Sequence, residues 1–349
     1  MAKTHHFLIL SLLLLTIVTP PSTATEQPPD TLPEQCREST NGPCHNKTKS
    51  LHLKLIAIAA ILVTSMLGVS LPILSKSVPA LHPDTKLFVL VKAFASGVIL
   101  ATGYMHVLPD SFDCLTSKCL PENPWGKFPF TTFIAMFSAV LTLMVDSYAM
   151  SWYKKCKTTN QGVKNPDPES KTGHCHGHGL SRIDNQASQL RRYRVVAQVL
   201  ELGIVVHSVV IGLSMGASDN VCTIRPLVAA LCFHQFFEGM GLGGCILQAN
   251  YEMKMKAMMV FFFSVTTPFG IALGIGLSNV YQENSPTALV VVGVLNAVSA
   301  GLLNYMALVD LLASDFMGEK LQDDMKLQTI AYVAVILGAG GMSVMAIWA

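Results

Sequence analysis

The stretch "ALCFHQFFEGMGLGG", residues 230–244, lies in an apolar run long enough to cross a bilayer, yet it holds His234 and Glu238 four positions apart. On a helix, residues four apart point the same way, one turn from each other. A charged group at mid-membrane costs about 3 kcal/mol on insertion scales, so a helix that keeps one there has a partner or a task for it. The pattern recurs along the chain. A second apolar run ends "GYMHVLPD" (103–110), with His106 and Asp110 four apart, and a third, "LELGIVVHSVVIGLSMG" (200–216), sets His207 beside Ser208.

The bulk composition agrees with a membrane setting. Hydrophobic residues make up 51% of the 349 and charged residues 13%, whereas soluble globular chains carry roughly a quarter charged residues. A net charge of +2 gives no reason to invoke a nucleic-acid partner. Reading for apolar stretches of about 20 residues gives eight spans: 52–74, 87–110, 128–152, 194–216, 226–248, 257–281, 287–311 and 328–347. Pro, Gly and charged residues punctuate the gaps, as in "SKSVPALHPDTK", "CLPENPWGKFP", "QENSP" and "GEKLQDDMK". Backbone groups in lipid must bond within their own segment, so these spans are expected to be helices in an all-α membrane protein.

Residues 1–24 have the form of a signal peptide. Lys3 precedes the short apolar core "FLILSLLLLTIV", and "PPSTAT" offers a small-residue cleavage site near Ala24. Residues 25–51 are then exported, in keeping with the glycosylation sequon at Asn46. Spans one to three fill 52–152, a polar loop fills 153–193, and spans four to eight fill 194–349. With the N-terminus exported, one set of loops holds 15 Lys and Arg residues and the other six. The positive-inside rule places the richer set in the cytosol, which leaves both termini extracytosolic. Of nine cysteines, Cys36 and Cys44 fall in the exported segment and Cys114 and Cys119 in a short outer loop, enough for one or two disulfides.

The long loop is rich in Lys, Ser, Asn and Gly and lacks helical periodicity, so it reads as a mobile cytosolic segment. Its "HCHGHG" tract sets His174, Cys175, His176 and His178 close together. Such a tract binds transition metals weakly and suits capture or regulation, since nothing fixes its geometry.

Imidazole nitrogen and carboxylate oxygen are ligands for zinc and ferrous iron, and two facing helices can supply three or four of them. Spans four and five carry small-residue faces, Gly212 with Gly216 and Gly239 with Gly243, which predict that these two helices pack closely on each other. His207, His234 and Glu238 would then meet beside that contact. "GMGLGG" fits a dinucleotide-binding fingerprint only formally, because it follows no strand and opens no βαβ unit. Asp146, Asp310 and Glu201 lie toward the cytosolic ends of their spans, and the first two suit the exit side of a cation path.

At these residues the chain resembles the Zrt/Irt-like (ZIP) metal transporters, in particular their plant zinc- and iron-regulated branch. The resemblance rests on "FASGVILATGYMHVLPDSF", "RYRVVAQVLELGIVVHSVVIGLSMGAS", "ALCFHQFFEGMGLGGCILQA", "FFFSVTTPFGIALG" and "YMALVDLLASDF", from about residue 50 to the end. It implies an eight-helix bundle with 3+2+3 inverted-repeat organisation, often dimeric, moving by an elevator-like shift. It also implies import of divalent metal into the cytosol, with no cofactor. Carried over by position, His207 and Ser208 are the helix-four ligands, His234, Gln235 and Glu238 those of helix five, and His106 and Asp110 mark the outer approach. Family members with a binuclear site have a carboxylate four residues after the helix-four histidine. Here that position is Ile211, and span six has no acid, so a single transported ion is expected. Zinc and ferrous iron, with manganese and cadmium, fit such ligands. The plasma membrane is the expected location. Two rivals use the same residues. An intramembrane metal hydrolase is disfavoured because the chain lacks H-E-x-x-H and Glu238 would already be a ligand. A metal-sensing receptor would use the cytosolic loop as its readout.

Overall fold

A computed structural model describes Cys36 and residues 44–74, 85–161, 178–278 and 284–347. Among the described residues there is no named strand, only an isolated bridge between His45 and Asn220. The long helices are α1 (Lys47–Leu74), α2 (Lys86–Leu115), α3 (Phe130–Gln161), α4 (His178–Ala217), α5 (Val221–Gln248), α6 (Met253–Leu277), α7 (Pro286–Phe316) and α8 (Met325–Met345).

Seven of these are long and apolar enough to cross a membrane, counting Phe130–Tyr148 of α3 and Leu190–Ala217 of α4. The helix left out is α5. At 28 residues it is about 42 Å long, but His234, Gln235 and Glu238 interrupt its apolar run. The helix that deviates from a featureless span is thus the one whose chemistry is unusual.

Local sequence sets the helix starts. Thr85 caps α2 by accepting from Phe88 N–H, Asn220 caps α5 through Cys222 and Thr223, and Asp324 caps α8 through Leu327. Ser285 caps α7 ahead of Pro286, whose missing N–H costs nothing in a first turn. Two helices change their winding midway. In α2, Leu108 N–H bonds to the Gly103 carbonyl five residues back. Pro109 follows at once and supplies no N–H, so the normal ladder cannot continue there. In α7 the widened stretch is Met306–Ala313.

The helices pack in matched pairs. α1 lies on α5 and α6, and α4 on α6, while α2 lies on α8 and α3 on α7. Exchanging 1 with 6, 2 with 7, 3 with 8 and 4 with 5 maps this set onto itself, as two related triplets around a central pair would. Ile99, Ile204, Leu242, Met259, Phe263 and Leu303 bring five of the helices into one apolar core. α3 and α8 are peripheral and present Phe133, Phe137, Ile336 and Leu337 outward, as lipid-facing helices do.

Three expectations change. The glycine faces of α4 and α5 do not mate with each other. A Cβ on Gly212 would come 2.7 Å from the Thr267 carbonyl of α6, and one on Gly239 2.8 Å from Val69 N of α1. Each small-residue face fixes where two backbones approach, but its period does not name the partner. Second, the disulfides are Cys36–Cys119 and Cys44–Cys222; Cys222 was not among the expected partners and Cys114 is in neither bridge. Third, α3 continues to Gln161 and α4 begins at His178, so helix reaches well into the polar loop. A nucleated helix extends cheaply through Lys, Arg, Gln and Leu.

Candidate metal site

Three helices bring their unusual polar residues to one place. His106 projects from the widened turn of α2, His207 from α4 and His234 from α5, and their ring centroids form a near-equilateral triangle of 5.9, 5.9 and 6.0 Å. Glu238 is one turn beyond His234, and Gln235 accepts a hydrogen bond from the Thr267 hydroxyl of α6 at 3.4 Å. His207, Ser208, His234, Gln235 and Glu238 are all buried, with at most 1% exposure.

Buried polar atoms almost always have hydrogen-bond partners. Here both ring nitrogens of His207, Nδ1 of His234, Oγ of Ser208, Nε2 of Gln235 and both carboxylate oxygens of Glu238 have none. Leaving one such atom unmade costs about 1–3 kcal/mol, and more for a charge. Five neighbouring side chains in that state are not packing errors of one residue. Two imidazoles, one carboxylate, a hydroxyl and an amide oxygen make a mixed nitrogen and oxygen donor set of the kind that suits a borderline cation.

As placed, the set is slightly open. Among the described residues no three His, Cys, Asp or Glu groups converge tightly enough to grip one ion. Imidazole nitrogens lie 2.0–2.1 Å from zinc, so rings sharing an ion have centroids about 5 Å apart. The triangle is therefore wide by about an ångström on each side, within reach of rotamer adjustments. Ile211 packs with Ala57, Ile61, Met215, Leu231 and Ile271 in an apolar cluster. No carboxylate stands where a second ion would need one on α4.

The remaining candidates divide between the two ends of the bundle. His106, expected at the outer approach, is instead a corner of the triangle. Its widened turn shifts the helical register, an effect that four-residue spacing alone does not reveal. Asp110 does stand further out, its side chain 43% exposed and its carboxylate 4.0 Å from His106 Nδ1. At that end lie both disulfides, the buried Lys54 paired with Asp219 at 3.3 Å, and Ser50 bonded to the same carboxylate.

At the opposite end Asp310 of α7 faces Arg192 of α4, Nη2 to Oδ1 3.6 Å, with Asp146 of α3 and Tyr305 of α7 as electrostatic neighbours. Sequence reasoning missed Arg192, one of nine basic residues in a polar stretch with nothing to single it out. Glu201 is buried on α4 between Arg192 and His207. His174, Cys175 and His176 lie outside the described residues, and His178 is the first residue of α4.

Helices too apolar for water, enclosing an unsatisfied imidazole and carboxylate cluster, define a multi-pass membrane protein that handles a cation. Residues 51–346 match the family described as ZIP Zinc transporter, and the chain belongs to that family. It is 60% identical to "Fe(2+) transport protein 1" of Oryza sativa subsp. japonica over 94% of this chain and 93% of that one. It is 56% identical to "Probable zinc transporter 8" of Arabidopsis thaliana over 98% and 97%, and 57% identical to the "Fe(2+) transport protein 1" of that plant over 91% and 92%. The protein is a metal transporter and not an enzyme.

Proposed function

We propose that this chain imports zinc or ferrous iron into the cytosol through the cluster formed by His106, His207, His234 and Glu238, with Ser208 and Gln235 as weaker oxygen donors. The observation that carries the reading is the set of buried polar atoms without protein partners on α4 and α5. Relatives named for Fe(2+) transport and for zinc transport at similar identity support a site that accepts both ions. Three imidazoles and one carboxylate hold a divalent ion without the surplus of negative charge that would trap it.

In this reading all eight long helices span the bilayer in a 3+2+3 inverted repeat, with the polar break in α5 as the site itself. The pairing of helices supports that arrangement. Both termini are extracytosolic. Fifteen basic residues against six in the opposing loops and disulfides at the α2–α3 and α4–α5 connections support this orientation, since disulfides persist on oxidising faces. The ion approaches past Asp110, exchanges water for the cluster, and leaves past Asp146 and Asp310 as the site alternates its exposure. A signal peptide and the plasma membrane complete the scheme, with the loop histidines in capture or regulation. Light scattering of the purified protein that gives a dimer mass would support homodimeric assembly.

The test is radiolabelled zinc and iron uptake into proteoliposomes. Glu238→Ala is expected to lower uptake at least about 100-fold, because a buried charged ligand contributes several kcal/mol, while reconstitution is unchanged. Uptake equal to wild type in that variant defeats the assignment, and metal binding without flux in the wild type favours a receptor.

A further inference from the structure

The acids on the exit side come with a cation of their own. Asp310 has a side chain only 2% exposed, while Arg192 opposite is 38% exposed, so the guanidinium enters the cluster from the water side. Asp146 Oδ1 is buried with no partner. The Tyr305 hydroxyl lies beside Asp146 without reaching hydrogen-bond geometry. Arg192 of α4 pairs with Asp310 of α7 and acts on Asp146 of α3 through its field, so the two acids share one guanidinium and, whenever both are ionised, stand one unit of positive charge short of neutrality.

That shortfall has a consequence. Two carboxylates on facing helices, Asp310 buried and Asp146 half-buried, attract a divalent ion strongly when no built-in cation opposes it. Such a pair on an exit path is a trap. A guanidinium stays charged at any working pH, so it competes with the passing ion throughout the cycle. Its contact with Asp310, at 3.6 Å, is looser than the 2.7–2.9 Å of a tight charge-assisted bond, and its half-exposed head has water to move into. A rigid structural ion pair would be shorter and closed on both sides.

We propose that Arg192 is a tethered counter-ion of the exit acids: it withdraws from Asp146 and Asp310 as a divalent cation arrives and returns behind it, so the ion is released and not retained. This rests on the reading that the ion leaves past those two acids. Arg192 is then a positioning residue for release, acting through the carboxylates without touching the three-histidine cluster.

The experiment uses the full chain in proteoliposomes with radiolabelled zinc, together with the zinc retained by detergent-solubilised protein after desalting. Arg192→Gln is expected to cut maximal uptake to about a tenth, without a raised KM, and to increase retained zinc, since one competing charge is gone. Arg192→Lys keeps most of the rate. Adding Asp146→Asn to Arg192→Gln restores rate and lowers retention, because it removes the uncompensated negative charge. Wild-type uptake in Arg192→Gln overturns the proposal. So does a loss of uptake with no gain in retained zinc and no rescue by Asp146→Asn, which marks a simple tie between α4 and α7. Glu238→Ala in the same assay tests the three-histidine site separately, so failure of that reading is seen apart from failure of this one.

Discussion

The histidine cluster and the acid cluster are both drawn from three helices, but the first is buried while the second opens toward water at Arg192, and only the second carries a cation of its own. On α4 and α5 both ring nitrogens of His207, Nδ1 of His234 and the Glu238 carboxylate are left without protein partners, while His106 of α2 has only Asp110, 4.0 Å away. On α3, α4 and α7 Arg192 already leans on Asp310. The first arrangement favours capture, because the ion itself supplies the missing interactions. The second favours departure, because an occupant must be displaced and soon returns. A transporter needs both, since a site that only binds is a sink. Both clusters also neighbour a widened helical turn, in α2 and α7 respectively, where a π-type insertion re-aims side chains at functional positions.

The contrast can be broken by substitution, beginning with the largest effect. Glu238→Ala and His207→Ala should each remove uptake almost entirely, whereas Asp146→Asn should leave measurable flux; equal losses would erase the distinction between capture and departure. His106→Ala comes next. As a third corner of the cluster it should raise KM about tenfold or more, the loss of one metal ligand with its supporting contacts, and an unchanged KM in tracer uptake would return His106 to a purely outer role.

Asp110→Asn should have a smaller effect. Its side chain is 43% exposed, so it should contribute through field and not through coordination, and KM should rise about two- to threefold at low salt and converge on wild type at high salt. Titration of uptake against ionic strength checks this. The smallest effect is expected for Lys86 and Asp324, an ion pair at 2.8 Å that is 73% and 34% exposed. Lys86 and the Leu327 N–H at the start of α8 hold the Asp324 carboxyl below its ordinary range. A depressed acid stabilises the fold above its unfolded value and loses that contribution as pH falls through the folded value. Asp324→Asn should therefore leave uptake near wild type and lower thermal stability slightly at neutral pH, with the difference from wild type vanishing as pH falls through the folded value. A large loss of uptake at neutral pH would show that exposed and buried ion pairs matter equally here.

Much of this was legible along the chain. Helical content and span positions follow from apolar runs that admit only one way of satisfying the backbone, and the ligand types follow from polar residues standing where they are costly. His234 and Glu238 needed no structure, since a four-residue step on a helix already places them on one face. The glycine faces were visible as well, but not their partners: Gly212 meets α6 and Gly239 meets α1. Cys222 as the partner of Cys44, 178 residues away, had no local signal.

Periodicity and composition are properties of a single segment, so the sequence by itself determined the class of fold and the candidate ligand types. Which helix lies against which depends on shapes contributed by segments far apart in the chain. Only the packed bundle therefore decided that His106 joins His207 and His234, and that Arg192 stands over Asp310. One side chain gained a role through a shifted helical register and the other through a neighbour that no spacing rule could name.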